Sequence, residues 1–399
     1  MIELSLTEEQ VLLQSTARDF AQNEIKPIVE QIESMGHERT GAWDLCLGML
    51  KKATKLGFTT MLIPEEYGGA GRDCRDIVVV LEEIGTVDVG IAADYFNTAM
   101  TYPRVLIEGG TPQQCEKWLT QFCNSEVFVW AGAQNEADVA GSELFCFFPD
   151  PRLGLKTYAR LEGDEYVING SKSAFITNAG VANAYIILCR TDLTKPQRES
   201  LSMFYVPAGT PGLSIGKRTE MIGSSTTQHA EVFLDNVRVP RESLIGGEGQ
   251  ALDIFSRASD YMVVGLAACY VGLARAAYDY ALDYAKQRMS WGMPLIKHQA
   301  VGLKLAEMRI QVDAARLMVW DAAYAVDSRA KGAGAIKAPA AKTFAVDAAI
   351  KNAENAVKIL GGYGLCKEYR AEKYLRDAWM GYSCDFTGDI LRLGMVDSL

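Results

Sequence analysis

Apolar positions fall into three textures along the chain. From about residue 4 to 55 they recur at helical spacing, as in Val11, Leu12, Ala17 and Phe20, near the 3.6-residue period of a helix packed on one face. Thr7 followed by Gln10 predicts a capped start, because each side chain can satisfy the other's backbone N–H. A Gly/Pro-rich break runs from Ile63 to Gly71, and helical texture resumes from about Asp76 to Glu108 and from Pro112 to Gln121. Near Val127 the pattern shortens to β-type runs: Thr157–Leu161, Tyr166–Ile168, Ala184–Arg190, Ser202–Val206 and Ala230–Val239. Gly163-Asp164, Asn169-Gly170 and Pro211-Gly212 separate them as turn signals, and strands at such spacing predict a small barrel or sandwich. After Gly246-Gly247-Glu248-Gly249 the chain reads as helical to its end. The stripe Val301, Leu305, Met308, Val312, Ala315, Val319 steps by four and three, the seam of a packed helix bundle. The expected class is α+β, ordered as an N-terminal helical domain (1–125), a middle β-barrel or sandwich domain (126–240) and a C-terminal helical bundle (241–399).

Composition narrows the chemistry. The chain has 399 residues, with 40 Lys+Arg against 50 Asp+Glu and a formal net charge of −10. That balance offers no basic footprint for nucleic acid. Only His37, His229 and His298 carry imidazole, so no metal site is expected and acid–base work falls to carboxylates. The uncharged stretch Tyr261–Ala274 is shorter than the roughly 20 residues of a membrane span. The acidic start MIELSLTEEQ lacks a signal-peptide pattern. Nine cysteines without a Cys-x-x-Cys pair read as thiols of a reducing cytoplasm. No Gly-x-Gly-x-x-Gly after a strand, no P-loop and no Gly-x-Ser-x-Gly occurs.

The longer motifs are more specific. Pro64–Gly71, Asn135–Glu143, Asn169-Gly170-Ser171-Lys172 with Phe175-Ile176-Thr177-Asn178, Val237–Pro240, Leu244–Gly246, Arg288-Met289-Ser290-Trp291-Gly292 with Gln299, Ile359–Gly364 and Arg376-Asp377-Ala378 stand in that order. In order and spacing they resemble the acyl-CoA dehydrogenase family over nearly the whole chain. The resemblance implies a C-terminal four-helix bundle, FAD, an acyl-CoA thioester substrate, a homotetramer and an electron-transfer flavoprotein as acceptor. It also implies α-proton abstraction with hydride transfer to flavin N5.

By the same resemblance, Phe175 stands for the family's Trp beside the flavin and Thr177 supplies a hydroxyl near the reactive nitrogen. Gln134, Asn135 and Ser142 line the flavin and thioester region. Arg288, in the motif with Trp291, neutralises the FAD pyrophosphate, a task suited to a guanidinium. Gln299, Gly361 and Gly362 hold the FAD of a neighbouring subunit, and Thr387 contacts the flavin. Asp385 aligns with the family's Glu base, one methylene shorter. Phe386 replaces a Gly and narrows the acyl cavity, and Lys358 replaces a Gln near the adenylate half. Met262 and Val263 occupy positions where some relatives carry a base or a CoA-binding Arg.

A second carboxylate, Asp94, lies in Gly90–Asn97 beside Tyr95, on the helix that walls the family's acyl pocket, and the resemblance makes Asp94 and Tyr95 substrate-binding candidates with Ser142 and Phe386. Either it faces solvent or bonds locally, or it is functional, because an unpaired carboxylate in an apolar stretch costs free energy. Asp385 and Asp94 are therefore the candidate catalytic residues. The expected substrate is an alicyclic acyl-CoA, such as a cyclohexane- or cyclohex-1-ene-carboxyl thioester, the latter by 1,4-elimination to a diene. A short- or branched-chain dehydrogenase using Asp385, an oxidase- or desulfinase-like member and a non-catalytic flavin- or acyl-CoA-binding scaffold are the alternatives.

Overall fold

The structure, a computed structural model, describes residues 5–36, 39, 41–145, 149–330, 333–396 and 398. The Thr7–Gln10 capping box is present, with Gln10 N donating to Thr7 Oγ1 and Thr7 N to Gln10 Oε1, each at 3.2 Å. It opens α1 (Glu8–Phe20), which passes through a π-helical turn (Ala21–Ile25) into α2 (Lys26–Ser34). Then come α3 (Ala42–Lys55), α4 (Cys74–Gly85), a π-helical stretch Ile91–Asn97 that leads straight into α5 (Thr98–Gly109), and α6 (Pro112–Asn124).

The β region contains β1 (Trp130–Ala133), β2 (Tyr158–Glu162), β3 (Glu165–Thr177), β4 (Ala184–Arg190), the short α7 (Gln197–Ser200), β5 (Leu201–Pro207), β6 (Leu213–Arg218) and β7 (His229–Pro240). With β8 (Leu244–Ile245) they form one eight-stranded sheet in the order β6-β7-β3-β2-β4-β5-β8, with β1 beside β4. Gly163-Asp164 turns β2 into β3 and Pro211-Gly212 leads into β6, as the sequence predicts. Asn169-Gly170 does not end a strand. It lies inside β3 at a register shift against β7, where Gly170 at φ 145° lets the strand bend with Thr157 packed too close for a side chain. Strands β1 and β6 escape the sequence pattern: β1 is four residues long with no alternation of buried and exposed positions, and β6 is only half-buried.

Beyond the sheet lie α8 (Ala251–Gln287), a hairpin of β9 (Met289–Ser290) and β10 (Met293–Pro294), α9 (Gln299–Asp327), α10 (Ala338–Leu360), α11 (Ala371–Ser383) and α12 (Gly388–Val396). The α9 stripe is core: Leu305, Met308, Val312, Ala315 and Val319 are buried, and Val301 is half-buried. Helix α8 is long and apolar enough to cross a membrane by composition, but 83% of its apolar window is buried in the bundle. It crosses α4 closely because Gly85 and Gly272 leave room: a Cβ on either would meet a backbone oxygen of the other helix at 2.4 or 2.3 Å. One helical core thus joins the N-terminal helices to the bundle, and two smaller cores fill the two faces of the sheet. Phe386 packs against the helical core and against the core between α5, α6 and the sheet.

Candidate active site

The seam between the helices and the sheet collects most of the sequence-predicted residues. Asp94 sits in the middle of the π-helical stretch Ile91–Asn97, all of it buried. Fixed points hold that stretch. Asp88 Oδ1 accepts from Ile91 N and from Thr226 Oγ1, both at 2.8 Å, while Asp88 Oδ2 accepts from Lys373 Nζ at 2.6 Å. At the other end Asn97 Nδ2 donates to Met262 O on α8 at 3.2 Å. Asn178 Nδ2, just past β3, donates to Asp94 O at 2.8 Å. A widened helical turn that breaks the regular ladder is typical of functional positions.

Asp94 is 7% exposed and its Oδ2 has no hydrogen-bond partner. Of the two readings open in the sequence, solvent exposure is excluded. Burial, opposed by the Thr227 hydroxyl and helped by Asp385 and Asp88, raises its pKa to about 7. His229 Nε2, on β7, lies 4.0 Å from Asp94 Oδ2. That imidazole is itself buried, and burial together with the Arg218 guanidinium lowers its pKa to about 4, so it is neutral at pH 7.

Asp385 acts electrostatically on Asp94, which places the two candidate carboxylates in one site. Its mounting is different. The chain reverses between α11 and α12 with Asp385 at φ 43° and Phe386 at φ 75°, left-handed conformations that non-glycine residues adopt at a cost. Buried Lys342 secures the reversal by donating to Gly381 O (3.0 Å) and Phe386 O (2.7 Å). Asp385 is accessible from the cleft. Protein on its other sides still raises its pKa by desolvation, offset by Lys342 and by Cys384, whose thiol lies 3.5 Å from Asp385 Oδ2. The Phe386 ring meets Phe255 edge-on at 6.4 Å, and Thr387 Oγ1 accepts from Ile390 N at 3.4 Å. Tyr95, named with Asp94 for the substrate, turns away: its hydroxyl donates to Thr226 O at 3.1 Å.

Phe175 is 57% exposed on β3. Four steps along β3 from Lys172 to Ile176 oppose two along β7. This bulge presents the ring outward, whereas regular alternation is free to bury it. Thr177 ends the strand opposite His229. Gln134 and Asn135 are held by their backbones: Lys172 Nζ donates to Gln134 O at 3.2 Å and Ser173 N to Asn135 O at 2.9 Å. Lys172 also pairs with buried Glu136 at 3.0 Å, and Glu136 accepts from Lys156 N and Thr157 N. The Ser142 side chain lies outside the described residues.

Sequence reasoning missed several members of this seam. Lys172 and Lys342 carried no signal beyond their motif neighbours. Tyr102 is buried near both carboxylates and Gln134, its phenol raised by burial and by Asp385. Thr227 lies in the loop just before β7 and His229 is the first residue of that strand, so no strand alternation marks either of them.

The remaining cofactor residues form a second group at the end of the bundle. Trp291 (φ 49°) and Gly292 (φ 76°) turn the β9–β10 hairpin, and Trp291 is 93% exposed. The Arg288 guanidinium stands 5.8 Å from the centre of the Tyr363 ring. Gln299 is exposed at the start of α9, and Lys358 Nζ pairs with Glu354 at 3.2 Å. Gly361 (φ 63°) ends α10, and both Gly361 and Gly362 face open space. Among the described residues no hydrogen bond, ion pair or ring contact joins this group to the Phe175 group.

Residues 7–126, 151–237 and 253–395 match the N-terminal, middle and C-terminal domains of acyl-CoA dehydrogenase. The chain belongs to the acyl-CoA dehydrogenase family. It is 33% identical to the short-chain specific acyl-CoA dehydrogenase of rat mitochondria over 99% of this chain and 91% of the relative. It is also 33% identical to a 3-(aryl)acrylate reductase of Clostridium sporogenes, over 98% and 99%. Butyryl-CoA dehydrogenase from Megasphaera elsdenii superposes with a TM-score of 0.90 at 29% identity, covering 100% of this chain and 99% of that one. Membership makes the protein a flavin-dependent oxidoreductase, and the scaffold reading gives way. The residues present fit FAD: an exposed aromatic ring on a bulge, glycines with open space, and buried Trp130 Nε1, Ser173 Oγ and Asn178 Oδ1 without protein partners.

Proposed function

We propose that this acyl-CoA dehydrogenase oxidises an alicyclic acyl-CoA, such as a cyclohexane- or cyclohex-1-ene-carboxyl thioester, with Asp94 as the base for the unsaturated ring. One observation carries the reading: a carboxylate nine-tenths buried at the acyl end of the site, with an unpartnered oxygen and a pKa of about 7. A base with a pKa near the working pH combines a useful ionised fraction with driving force for proton transfer. FAD supplies the two-electron acceptor when bound. Phe175, Thr177, Gln134 and Asn135 would hold its ring, and Arg288, Trp291, Gln299, Lys358, Gly361 and Gly362 of a second subunit would hold the rest. The exposed Trp291 supports that sharing.

In the cyclohex-1-ene thioester, Asp94 takes a proton from a ring carbon remote from the thioester, which the C=C bond conjugated to the carbonyl makes acidic; the 1,4-elimination leaves a cyclic diene. Phe386, pressed against Phe255, shortens the cavity and favours a wide, short acyl group. Buried Tyr102, Met262 and Val263 exclude water. The aryl-named relative supports a ring in the acyl position. Electrons leaving to an electron-transfer flavoprotein, a homotetramer and a cytoplasmic setting complete the proposal.

A second reading rests on the short-chain and butyryl names of the relatives and on Asp385, whose carboxyl is also raised. Here Asp385 alone abstracts the α-proton of a short linear or branched thioester. An anaerobic screen of acyl-CoAs for flavin bleaching separates the two. Bleaching by cyclic thioesters that disappears in Asp94→Asn supports the first. Bleaching by butyryl-CoA alone, lost in Asp385→Asn, replaces it with the second.

A further inference from the structure

The Asp94 corner has a polar back wall. The Thr227 hydroxyl lies beside the Asp94 carboxylate, holding its pKa down, and donates to Ser224 O at 3.0 Å. Thr227 and Ser224 also line a cavity of about 290 Å³ enclosed by Arg39 and Arg218, with Lys217 and Glu220 exposed at its rim. The two guanidinium groups are anchored on backbone carbonyls: Arg39 on Gly36 (3.1 Å) and Ser225 (2.9 Å), Arg218 on Thr227 (3.1 Å). His229 stands 4.0 Å from Asp94 and close enough to Arg218 to feel its charge. One side of Thr227 thus faces the buried carboxyl and the other a cavity that reaches solvent.

A bound thioester would close the front of the site, and buried Tyr102, beside both carboxylates, closes one side. A proton taken up by Asp94 needs another way out. We propose that the Arg39–Arg218 cavity is the proton exit of the acyl site, with Thr227 and His229 as the positioning residues that pass the Asp94 proton to water. The O–H bond of the Asp94 carboxyl breaks and the proton joins the Thr227 oxygen. The hydroxyl's own hydrogen leaves to water in the cavity, directly or through the neutral imidazole of His229. One proton moves to solvent and no electrons change hands. A hydroxyl with one hydrogen and two acceptors, Asp94 and Ser224 O, is suited to such switching. The cationic wall disfavours a proton resting in the cavity, so the route empties outward.

The inference rests on Asp94 being the base, and the test separates the two claims. FAD-loaded enzyme is mixed anaerobically with cyclohex-1-ene-carboxyl-CoA in D2O at pH 9, well above the native Asp94 pKa of about 7. Flavin bleaching and deuterium wash-in to the recovered thioester are followed together. In the isosteric Thr227→Val variant, and more so with His229→Phe added, wash-in should fall at least tenfold more than bleaching. Thr227→Ser, which restores the hydroxyl, should restore wash-in. Wash-in at the native rate in Thr227→Val, or an equal loss of wash-in and bleaching, overturns the exit. Full bleaching and wash-in in Asp94→Asn overturns the base assignment instead. If the double variant does not fold, the Thr227→Val and Thr227→Ser pair decides alone.

Discussion

Asp94 and Asp385 share a site and a charge but not a mounting. Asp94 is carried on a buried helical stretch pinned by Asp88 and Asn97 to three other parts of the chain. Asp385 is carried on an accessible left-handed reversal secured by Lys342 through two carbonyls. Burial without an opposing cation sets the proton affinity of the first. In the second, Lys342 counteracts desolvation. The difference shows how one fold can mount two carboxylates in one site, one buried without an opposing cation and one on a turn that Lys342 secures.

The largest effect that would break this comparison is Asp94→Asn. It should lower turnover of a cyclic thioester by ~10³-fold, within the range for a positioned general base, while Asp385→Asn costs under about tenfold. Steady-state rates on both variants check it. Next is Lys342→Met. It leaves Gly381 O and Phe386 O without their donor, and should destabilise the protein by about 3 kcal/mol in denaturant titration.

Phe386→Gly sharpens the comparison from the other side. It removes the ring that narrows the cavity and permits the left-handed backbone. The ratio of kcat/KM for a linear to a cyclic thioester should rise about tenfold, equivalent to ~1.4 kcal/mol of discrimination. A last effect is on stability. Because folding raises the Asp94 pKa from near 4 to about 7, the folded state binds that proton more tightly. The group therefore costs stability progressively as pH rises from 4 through 7, and nothing below 4. Asp94→Asn should accordingly gain ~4 kcal/mol relative to the native chain on going from pH 4 to pH 8, read as a shift in denaturation midpoint.

Much of this was legible in the sequence. The α–β–α order followed from helical period against short alternating runs, and the capping box and the α9 seam stand where those residues predict. Asn169-Gly170 misled, because a glycine that signals a turn serves equally in a bulge when its neighbours keep pairing. The site was partly legible. Asp94 stood out as a charge in an apolar stretch, and Asp385 by its place after Arg376-Asp377-Ala378. Thr227, His229 and Tyr102 were not legible. Thr227 and His229 sit together more than 130 residues from Asp94, Tyr102 lies on α5, and only the packing of β7 and α5 against the π-helical stretch brings them to Asp94. Nor does the sequence show which carboxylate is buried, since that depends on Lys342 and Asp88 making their contacts.

The most direct measurement is the pH dependence of anaerobic flavin bleaching by cyclohex-1-ene-carboxyl-CoA between pH 5 and 9. The rate should rise through an acid limb centred at about pH 7, survive in Asp385→Asn and vanish with the activity in Asp94→Asn. A limb that persists in Asp94→Asn and disappears in Asp385→Asn would contradict the account.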